Sequence, residues 1–450
     1  MRATADSDPV AALRTAAAQS LSAHVPAGDG VAVALSGGRD SVVLLDALAH
    51  VAAERGHPLT AVHVHHGLSP NADAWQQFCI ALCAARGVPL SLREVTVPRT
   101  PQTSLEAEAR RVRYAALASA ATAAGMRYVA LAHHRDDQAE TLLLQLLRGA
   151  GPHGLAGMSA VRDDPRGVRW LRPLLGVARA TIDEYARAQG LAWVDDESNA
   201  TSRHLRNALR HVVMPALSVV FPSPAATLAR AAAHQADAAR LADDLAILDA
   251  RSAGDGVTLD RAALAALPVY RARNLLRWFL RQRGLTAPSA ARLSAMVAQL
   301  AGARGDANVR LAHGGIELGI HRGRVHVHAA APPGFDVAWH GEPELALPHG
   351  VLAFGRAEGR GIDERRLAGA PVQVRLRAGG ERLQLAPDRP RRALKSILQD
   401  AGMPVWARAA LPLVFCGGAL AAAPGVGVDA GFSAPPGAFG VTVDWRPHVV

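Results

Sequence analysis

The chain has 450 residues, half of them hydrophobic, and a formal charge of +10. That length fits about two to four domains, and the apolar fraction excludes global disorder. The basic excess favours a polyanionic partner, nucleic acid above all or an anionic membrane surface.

The elements follow in a regular order. A helix is expected over 12–23, before the apolar strand 31–35 of "VAVALSGGRDSVVLLDAL". Helix 41–54 precedes strand 60–66, helix 72–86 precedes "LSLREVTV" at 90–97, and helix 104–123, with a capping box from Thr103 to Glu106, precedes "YVALAHH" at 128–134. Apolar strands alternating with helices predict an α/β domain with a doubly wound, mostly parallel sheet over 1–215. An alanine- and arginine-rich helical domain is expected over 216–328. The segment "AAAPPGFD" (329–336) reads as a linker, and a small α+β domain is expected over 337–450. The uncharged run "AALPLVFCGGALAAAPGVGV" is long enough to span a bilayer, but it holds four glycines and two prolines. Two strands turned at Gly417-Gly418 explain it better than a membrane helix, so no membrane partner is expected. The N-terminus lacks the apolar core of a signal peptide. Three cysteines, Cys79, Cys83 and Cys416, form no even framework and no CxxC. A reducing cytoplasm, with Cys79 and Cys83 as buried core thiols, fits best.

"SGGRDS" (36–41) ends a strand and opens a helix. Glycines let backbone N–H groups approach a phosphate as an anion-binding nest, and the helix start adds its positive end. Ser36 and Ser41 are candidate donors to phosphate oxygens. Asp40 would repel phosphate unless it holds a Mg²⁺ that bridges to it. The stretch Ser36, Gly37, Gly38, Arg39, Asp40, Ser41 therefore reads as a nucleotide-pyrophosphate cradle, although a capped strand-to-helix turn would look similar. It is not a Walker loop: the sole lysine, Lys395, follows no glycine loop. "HHRDDQAET" (133–141) begins just past another strand. Ligands in such sheets sit at the carboxyl ends of the strands, so the two motifs belong together.

This order of motifs resembles the PP-loop ATP pyrophosphatases. "HHRDDQAETLLLQLLRGAGPHGLAGM" (133–158), "RPLL" (172–175), "WVDDESNATSRHLRNALR" (193–210) and the C-terminal "RRALKSILQDAGMPVWARAALPLVFCGGALAAAPGV" resemble, within them, the tRNA(Ile)-lysidine synthetase family. The resemblance covers almost the whole chain. It implies an adenine nucleotide alpha-hydrolase-like fold and an ATP- and Mg²⁺-dependent ligase. Free L-lysine would be joined to the wobble cytidine of the CAU-anticodon isoleucine tRNA through an adenylated base. It assigns His134, Asp137 and Glu140 to the ATP and acceptor site, with Arg113 reaching phosphate or the tRNA backbone. Arg110 is expected among the tRNA- or substrate-binding residues, although it could instead pair with Glu106 on a solvated helix. Asp196, Ser198, Asn199, Arg206, Asn207 and Arg210 would shape the amino-acid pocket and brace a domain junction. The glycine-rich "RGAGPHGLAGM" reads as a closing loop. Arg389, Arg391, Arg392, Lys395 and Arg408 are expected to cluster around Trp406 as a phosphate-contact surface. A PP-loop tRNA thiolase, an amidotransferase-type synthetase and an inactive tRNA-binding protein are the rival readings. The oligomeric state stays open, a homodimer being one option.

Overall fold

Val31–Ala34 alternates its side chains between two faces, as a strand must, and both faces are covered. Val31 and Val33 pack with Leu13, Leu21, Leu44, Leu45 and Tyr185, whereas Ala32 packs with Val62, Tyr114, Leu117, Val129 and Trp170. This strand is the centre of a computed structural model that describes residues 8–99, 104–195, 205–303 and 309–448. The chain divides into two units, 1–241 and 242–450.

In the first unit the order is α1 (Pro9–His24), β1 (Val31–Ala34), α2 (Arg39–Arg55), β2 (Leu59–His65), α3 (Ala72–Ala85), β3 (Leu90–Glu94), α4 (Leu105–Ala123), β4 (Tyr128–Ala130) and α5 (Arg135–Leu147). There follow α6 (Pro152–Leu155), β5 (Val161–Asp163), β6 (Arg169–Leu171) and α7 (Arg179–Ala188). After α8 (Leu205–Ala208), a π turn (Leu209–Val213) leads into α9 (Met214–Val220) and the long α10 (Pro224–Ala253). The sheet order is β3-β2-β1-β4-β6-β5. β1 pairs in parallel with β2 (Val31 opposite Leu59) and with β4 (Val31 opposite Tyr128); β5 alone runs antiparallel, against β6. The chain leaves β1 toward β2 on one side and returns to β4 on the other. That reversal opens a crevice at the carboxyl ends of β1 and β4.

Three local expectations change. The strand expected over 128–134 stops at Ala130, because His134 is the N-cap of α5 and the chain must turn before it. α4 is capped by Ser104, whose hydroxyl accepts from Ala107 N at 3.2 Å. Thr103 lies outside the described residues. The stretch expected to be a closing loop contains α6, and Gln138 pins its end: Nε2 donates to Met158 O at 2.8 Å and Oε1 accepts from Met158 N at 2.6 Å. A buried amide matched to both main-chain groups holds that end in place.

The second unit continues α10 and adds a β7-β10-β9-β8 sheet: β7 (Leu259–Asp260), β8 (Leu311–His313), β9 (Ile316–His321), β10 (Arg324–Ala329). Against it pack α11 (Arg261–Ala266), α12 (Val269–Arg281) and α13 (Ala290–Gly302) around Phe279, Leu280 and Met296. Beyond the 329–336 segment come β11 (Asp336–Trp339), β12 (Glu344–Leu347), β13 (Gly350–Glu358), β14 (Ile362–Asp363), α14 (Glu364–Ala368) and β15 (Val372–Arg375). The chain ends with β16 (Arg382–Leu383), β17 (Arg392–Ala393), α15 (Leu394–Asp400), α16 (Val405–Ala410), β18 (Leu413–Cys416), β19 (Ala419–Ala423), β20 (Gly427–Val428) and β21 (Phe439–Pro447). Three sheets result, β11-β15-β18-β19-β20, β12-β13-β21-β14 and the two-stranded β16-β17. The uncharged run at 409–428 thus holds a pair of antiparallel strands, β18 and β19, turning at Gly417-Gly418. Among the described residues no single helix is long and apolar enough to cross a membrane.

α2, the helix that carries the glycine motif, is held by one buried carboxylate. Asp46 Oδ2 accepts from Tyr185 Oη of α7 at 2.8 Å, and Oδ1 accepts from Arg86 Nε at 3.1 Å. Asp46→Ala should destabilise the chain by about 3 kcal/mol, because it strands a buried hydroxyl and a half-buried guanidinium. Chemical denaturation checks this; a loss below about 0.5 kcal/mol, ordinary for a surface substitution, would contradict it.

Candidate active site

The turn after β1 is rigid before any ligand arrives. Gly37 adopts φ +86°, and a Cβ there would stand 3.0 Å from Val194 Cγ2. Its carbonyl accepts from Val194 N at 3.0 Å. Gly38 is the N-cap of α2, so Arg39, Asp40 and Ser41 form the first helical turn; Ser41 N donates to Gly38 O at 3.0 Å, and the Arg39 and Asp40 N–H groups lie at the positive end of the helix, where an anion can be met. The two hydroxyls do different work. Ser41 is buried; it donates to Gly38 O at 2.8 Å and accepts from Ser36 N at 3.2 Å, bracing the turn from inside. Without a ligand, the Ser41 hydroxyl is thus engaged with the loop itself. Ser36, exposed and 3.1 Å from the Ser41 hydroxyl, stays on the solvent side. Arg39 is turned onto α7, with Nη1 2.6 Å from Asp183 Oδ1.

Across the crevice α5 begins at His134, and three acids and one ring meet. The His134 side chain is 1 % exposed. Its Nε2 lies 3.6 Å from Asp40 Oδ2 and 3.5 Å from Asp137 Oδ2, and its Nδ1 lies 3.8 Å from Asp136 Oδ2. Burial disfavours the charged ring, but Asp40, Asp137 and Asp136 outweigh it and hold His134 above the ordinary value of 6.5. Burial likewise works against the Asp40 and Asp137 anions. His134 with Arg39 and Arg179 holds Asp40 below its usual range, and His134 with Arg206 does the same for Asp137. Asp136 Oδ2 accepts from Arg179 N at 3.0 Å, capping α7 and bringing the Arg179 charge near Asp40.

Asp137 and Glu140 are not free bases. Arg206 Nε donates to Glu140 Oε2 at 2.8 Å and its Nη2 to Asp137 Oδ1 at 2.9 Å. Arg210 Nε donates to Glu140 Oε1 at 2.7 Å and its Nη2 to Asp137 Oδ1 at 3.0 Å. Two carboxylates and two guanidinium forks thus make a closed lattice between α5 and the turn of 205–213, with the Glu140 side chain only 3 % exposed. Beside it lies a cleft of about 380 Å³ lined by Arg135, Asp136, Glu140, Arg179, Arg210 and Met214, among others.

Further along, Arg110 Nη2 donates to Tyr114 Oη at 3.1 Å. Arg113 is half-buried on the same helix, and burial with Arg110 nearby depresses its guanidinium. Burial, against Asp137 and reinforced by Arg172, Arg110 and Arg206, pushes His133 down to about 3. Asn207 is half-buried on α8. Asp196, Ser198 and Asn199 lie outside the described residues. Arg179, Arg135 and Asp183 are not singled out by the sequence. Only the spacing of α7 after "RPLL" could have pointed to Arg179. Cys79 and Cys83 are fully buried, and burial raises their thiols to about 12 and about 11.

In the second unit the expected basic cluster is rearranged. Arg391 Nη2 donates to buried Asp429 Oδ1 at 2.9 Å and Arg392 Nη2 to Asp400 Oδ2 at 2.6 Å. Trp406 is not ringed by these arginines; it stacks on His328 with centroids 4.3 Å apart and lies against Gly319. Lys395 is exposed on α15, and Arg408 is half-buried on α16.

Comparison with known proteins agrees with this geometry. A PP-loop domain model matches residues 13–217, a TilS substrate binding domain model matches 259–326, and a TilS substrate C-terminal domain model matches 372–445. The chain is 42 % identical over 437 residues to a tRNA(Ile)-lysidine synthase of Nitrosomonas europaea, covering 96 % of this chain and 94 % of that one. It is 44 % identical to that of an Azoarcus species, over 92 % of this chain and 91 % of the other, and 44 % identical to that of Ralstonia nicotianae, over 93 % of each.

Two outcomes follow from the charge balance and the turn. Asp40 and Asp137, with lowered folded values, stabilise fully above the unfolded carboxyl range and lose this as pH falls through the folded values. His134, with a raised value, stabilises fully below about 6.5 and loses this as pH rises through its folded value. The parent should therefore lose melting temperature above neutrality more steeply than His134→Gln; parallel profiles would contradict the ring's role. Gly37→Ala, strained by about 1–2 kcal/mol in the left-handed region and crowded by Val194, should lose ATP affinity in calorimetry; parent-like affinity would contradict the cradle.

Proposed function

The chain belongs to the tRNA(Ile)-lysidine synthases, ATP-dependent ligases, and from that membership we propose how its residues divide the reaction. The enzyme joins free L-lysine to C2 of the wobble cytidine in the CAU-anticodon isoleucine tRNA, through an adenylated base, releasing pyrophosphate and AMP. The observation that carries our assignment of roles is the meeting of the "SGGRDS" turn with the acidic first turn of α5 at one switch point of the sheet.

ATP seats its phosphates on the N–H groups of Gly38, Arg39 and Asp40, with Ser36 on the outer side and Ser41 as the internal brace. Asp40 fits a Mg²⁺: it is a hard oxygen donor, about one-third exposed, beside a phosphate nest, and this ion characteristically takes one or two carboxylates plus substrate phosphates. When bound, the ion neutralises charge on the phosphates. His134 keeps Asp40, Asp136 and Asp137 together in one orientation, and Arg179 adds positive charge beside Asp40. The wobble base, in a single-stranded loop, can be splayed out at modest cost. Its O2 bonds to the α-phosphorus as the bond to pyrophosphate breaks. The ε-amine of lysine then bonds to C2, and the C2–O bond to AMP breaks. Arg113 stands on the helix flanking this region as a phosphate contact, and Arg110 orients Tyr114 beside it.

Lysine binds in the cleft beside α5. Arg135 and Arg179 offer guanidinium groups to its carboxylate, Asp136 offers a carboxylate to its amines, and Glu140 acts on the cleft by holding Arg210 in place. An ε-ammonium with reference pKa about 10.4 must shed a proton before attack. Asp137 and Glu140 are paired with arginines, and His134 is buried among three carboxylates that raise its affinity for a proton, so Asp136, which lines the cleft, is the acceptor. Asp196, Asn199 and Asn207 complete the amino-acid side. In the C-terminal region Lys395 and Arg408 contact tRNA phosphate, while Arg391 and Arg392 hold the surface in shape. A thiolase reading is disfavoured by the buried thiols of Cys79 and Cys83, which are held protonated. The enzyme works in the cytoplasm, where tRNA and free lysine coexist.

Purified protein incubated with ATP, labelled lysine and total bacterial tRNA should place label in one tRNA species, and Asp40→Ala should abolish it. Label spread over many tRNAs, or label retained by Asp40→Ala, would overturn the assignment. Glu140→Gln should raise the KM for lysine at least tenfold with little change in the KM for ATP, and equal changes in both would place Glu140 elsewhere.

A further inference from the structure

Arg39 stands next to the carboxylate assigned to the cation, yet its guanidinium is turned toward another acid. Its Nη1 lies 2.6 Å from Asp183 Oδ1 on α7, whereas its Nε is 3.4 Å from Asp40 Oδ1. The other Asp40 oxygen, Oδ2, is 3.6 Å from His134 Nε2. A full-strength charge-assisted N–H···O contact is about 2.7–2.9 Å long. Asp40 is thus flanked by two basic groups and closed on neither. A guanidinium set squarely on Asp40 would take both oxygens as a fork. That would shut out a small divalent ion, which needs oxygen ligands at about 2.0–2.1 Å.

Packing does not require the pair between Arg39 and Asp183. α7 is already docked: Ile182, Tyr185 and Ala186 are fully buried, and Tyr185 Oη donates to Asp46 Oδ2 at 2.8 Å. Asp136 holds the start of the same helix at Arg179 N. The side chains of Arg39 and Asp183 are both part-exposed, and such a pair adds little to stability. Nor is the contact a regular hydrogen bond. Asp183 Oδ1 is buried, and among the described residues it has no hydrogen-bond partner. Charge alone holds the guanidinium there. Asp183 lies four residues after Arg179 and so shares its flank of α7. A carboxylate at that position does little for the fold, and its specific effect is on where Arg39 points.

We propose that Asp183 is a positioning residue for the ligase reaction: it draws the Arg39 guanidinium off Asp40 and keeps the Asp40 carboxylate open to the divalent ion that accompanies ATP. The proposal rests on the reading of Asp40 as a Mg²⁺ ligand. Asp183 itself touches neither ATP nor the ion. Without its charge, Arg39 closes the remaining gap to Asp40. The pair formed there competes with the ion. It also neutralises a carboxylate that repels phosphate, so ATP without metal is tolerated better.

The test is calorimetric titration of the full chain with ATP, once with Mg²⁺ and once with EDTA, read as the ratio of the two affinities. Asp183→Asn should weaken ATP binding with Mg²⁺ about fivefold, the scale of one part-exposed ion pair. ATP in EDTA should bind this variant as well as the parent or better, so the ratio falls. Asp183→Glu, which restores the charge, should recover the parent's ratio. Arg39→Met leaves no guanidinium to move; it should keep the parent's ratio, and adding Asp183→Asn to it should change nothing further. A fall of the ratio in Arg39→Met alone would mean that the pair braces Asp40 rather than clearing it. That result would overturn the proposal even if Asp183→Asn failed to fold. Equal weakening with and without Mg²⁺ in Asp183→Asn would make the pair a structural brace and overturn the proposal, as would a ratio equal to the parent's. Each of these outcomes leaves the assignment of Asp40 intact. A parent that binds ATP equally in Mg²⁺ and in EDTA would overturn that assignment as well.

Discussion

Two carboxylates that cannot stand alone organise the catalytic unit. Asp137 and Glu140 lie on one flank of α5, one turn apart and buried. A bare buried anion costs several kcal/mol, and breaking a buried pair leaves that cost uncompensated. Arg206 and Arg210, also one turn apart, supply two forks in matching register. The match requires the chain after residue 204 to lie against α5. That placement puts the π turn of Leu209–Val213, which carries Arg210, and the start of α9 at the mouth of the cleft. π turns recur at functional sites. Here the turn sits where an amino-acid pocket has to be built from side chains distant in sequence.

The same pairing redistributes chemistry among neighbouring residues. With Asp137 and Glu140 committed to arginines, His134 is left among Asp40, Asp136 and Asp137, whose charges raise its affinity for a proton. It acts as a clasp that holds these three carboxylates together over the loop. The open positions are those at the edge: Asp40 toward the phosphates and Asp136 toward the cleft. Electrostatic preorganisation of this kind carries most of the burden in phosphoryl chemistry. Reaction geometry follows from a turn that is braced before ligand binds, by Ser41 from within and Val194 from behind.

Much of this was legible in the amino-acid order. Alternating apolar strands and helices gave the parallel sheet, because a strand buried on both faces has no polar alternation to hide. The glycine motif and the acidic helix start could be read together because both follow a strand. Partnership was not legible. Arg206 and Arg210 read as substrate contacts, yet they bind Asp137 and Glu140, some seventy residues earlier, and spacing carries no signal over such a gap. Arg391 and Arg392 read as a free basic face because Asp429 is equally remote. Arg179 was missed because its link to the site is a main-chain N–H capped by Asp136, and every residue but proline has one. The bracing contact of Ser41 was illegible for a related reason: a hydroxyl one turn into a helix can brace its own loop or reach a ligand, and spacing does not separate the two.

Asp137, Glu140, Arg206 and Arg210 act, on this view, as one unit in shaping the lysine site. A double-mutant cycle on kcat/KM for lysine, with Glu140→Gln, Arg210→Gln and both together, addresses it directly. Strong non-additivity is expected, the double variant being no worse than the poorer single one. Effects that simply multiply would mean that the two residues serve lysine independently, and the lattice would then be a structural brace with no share in recognition.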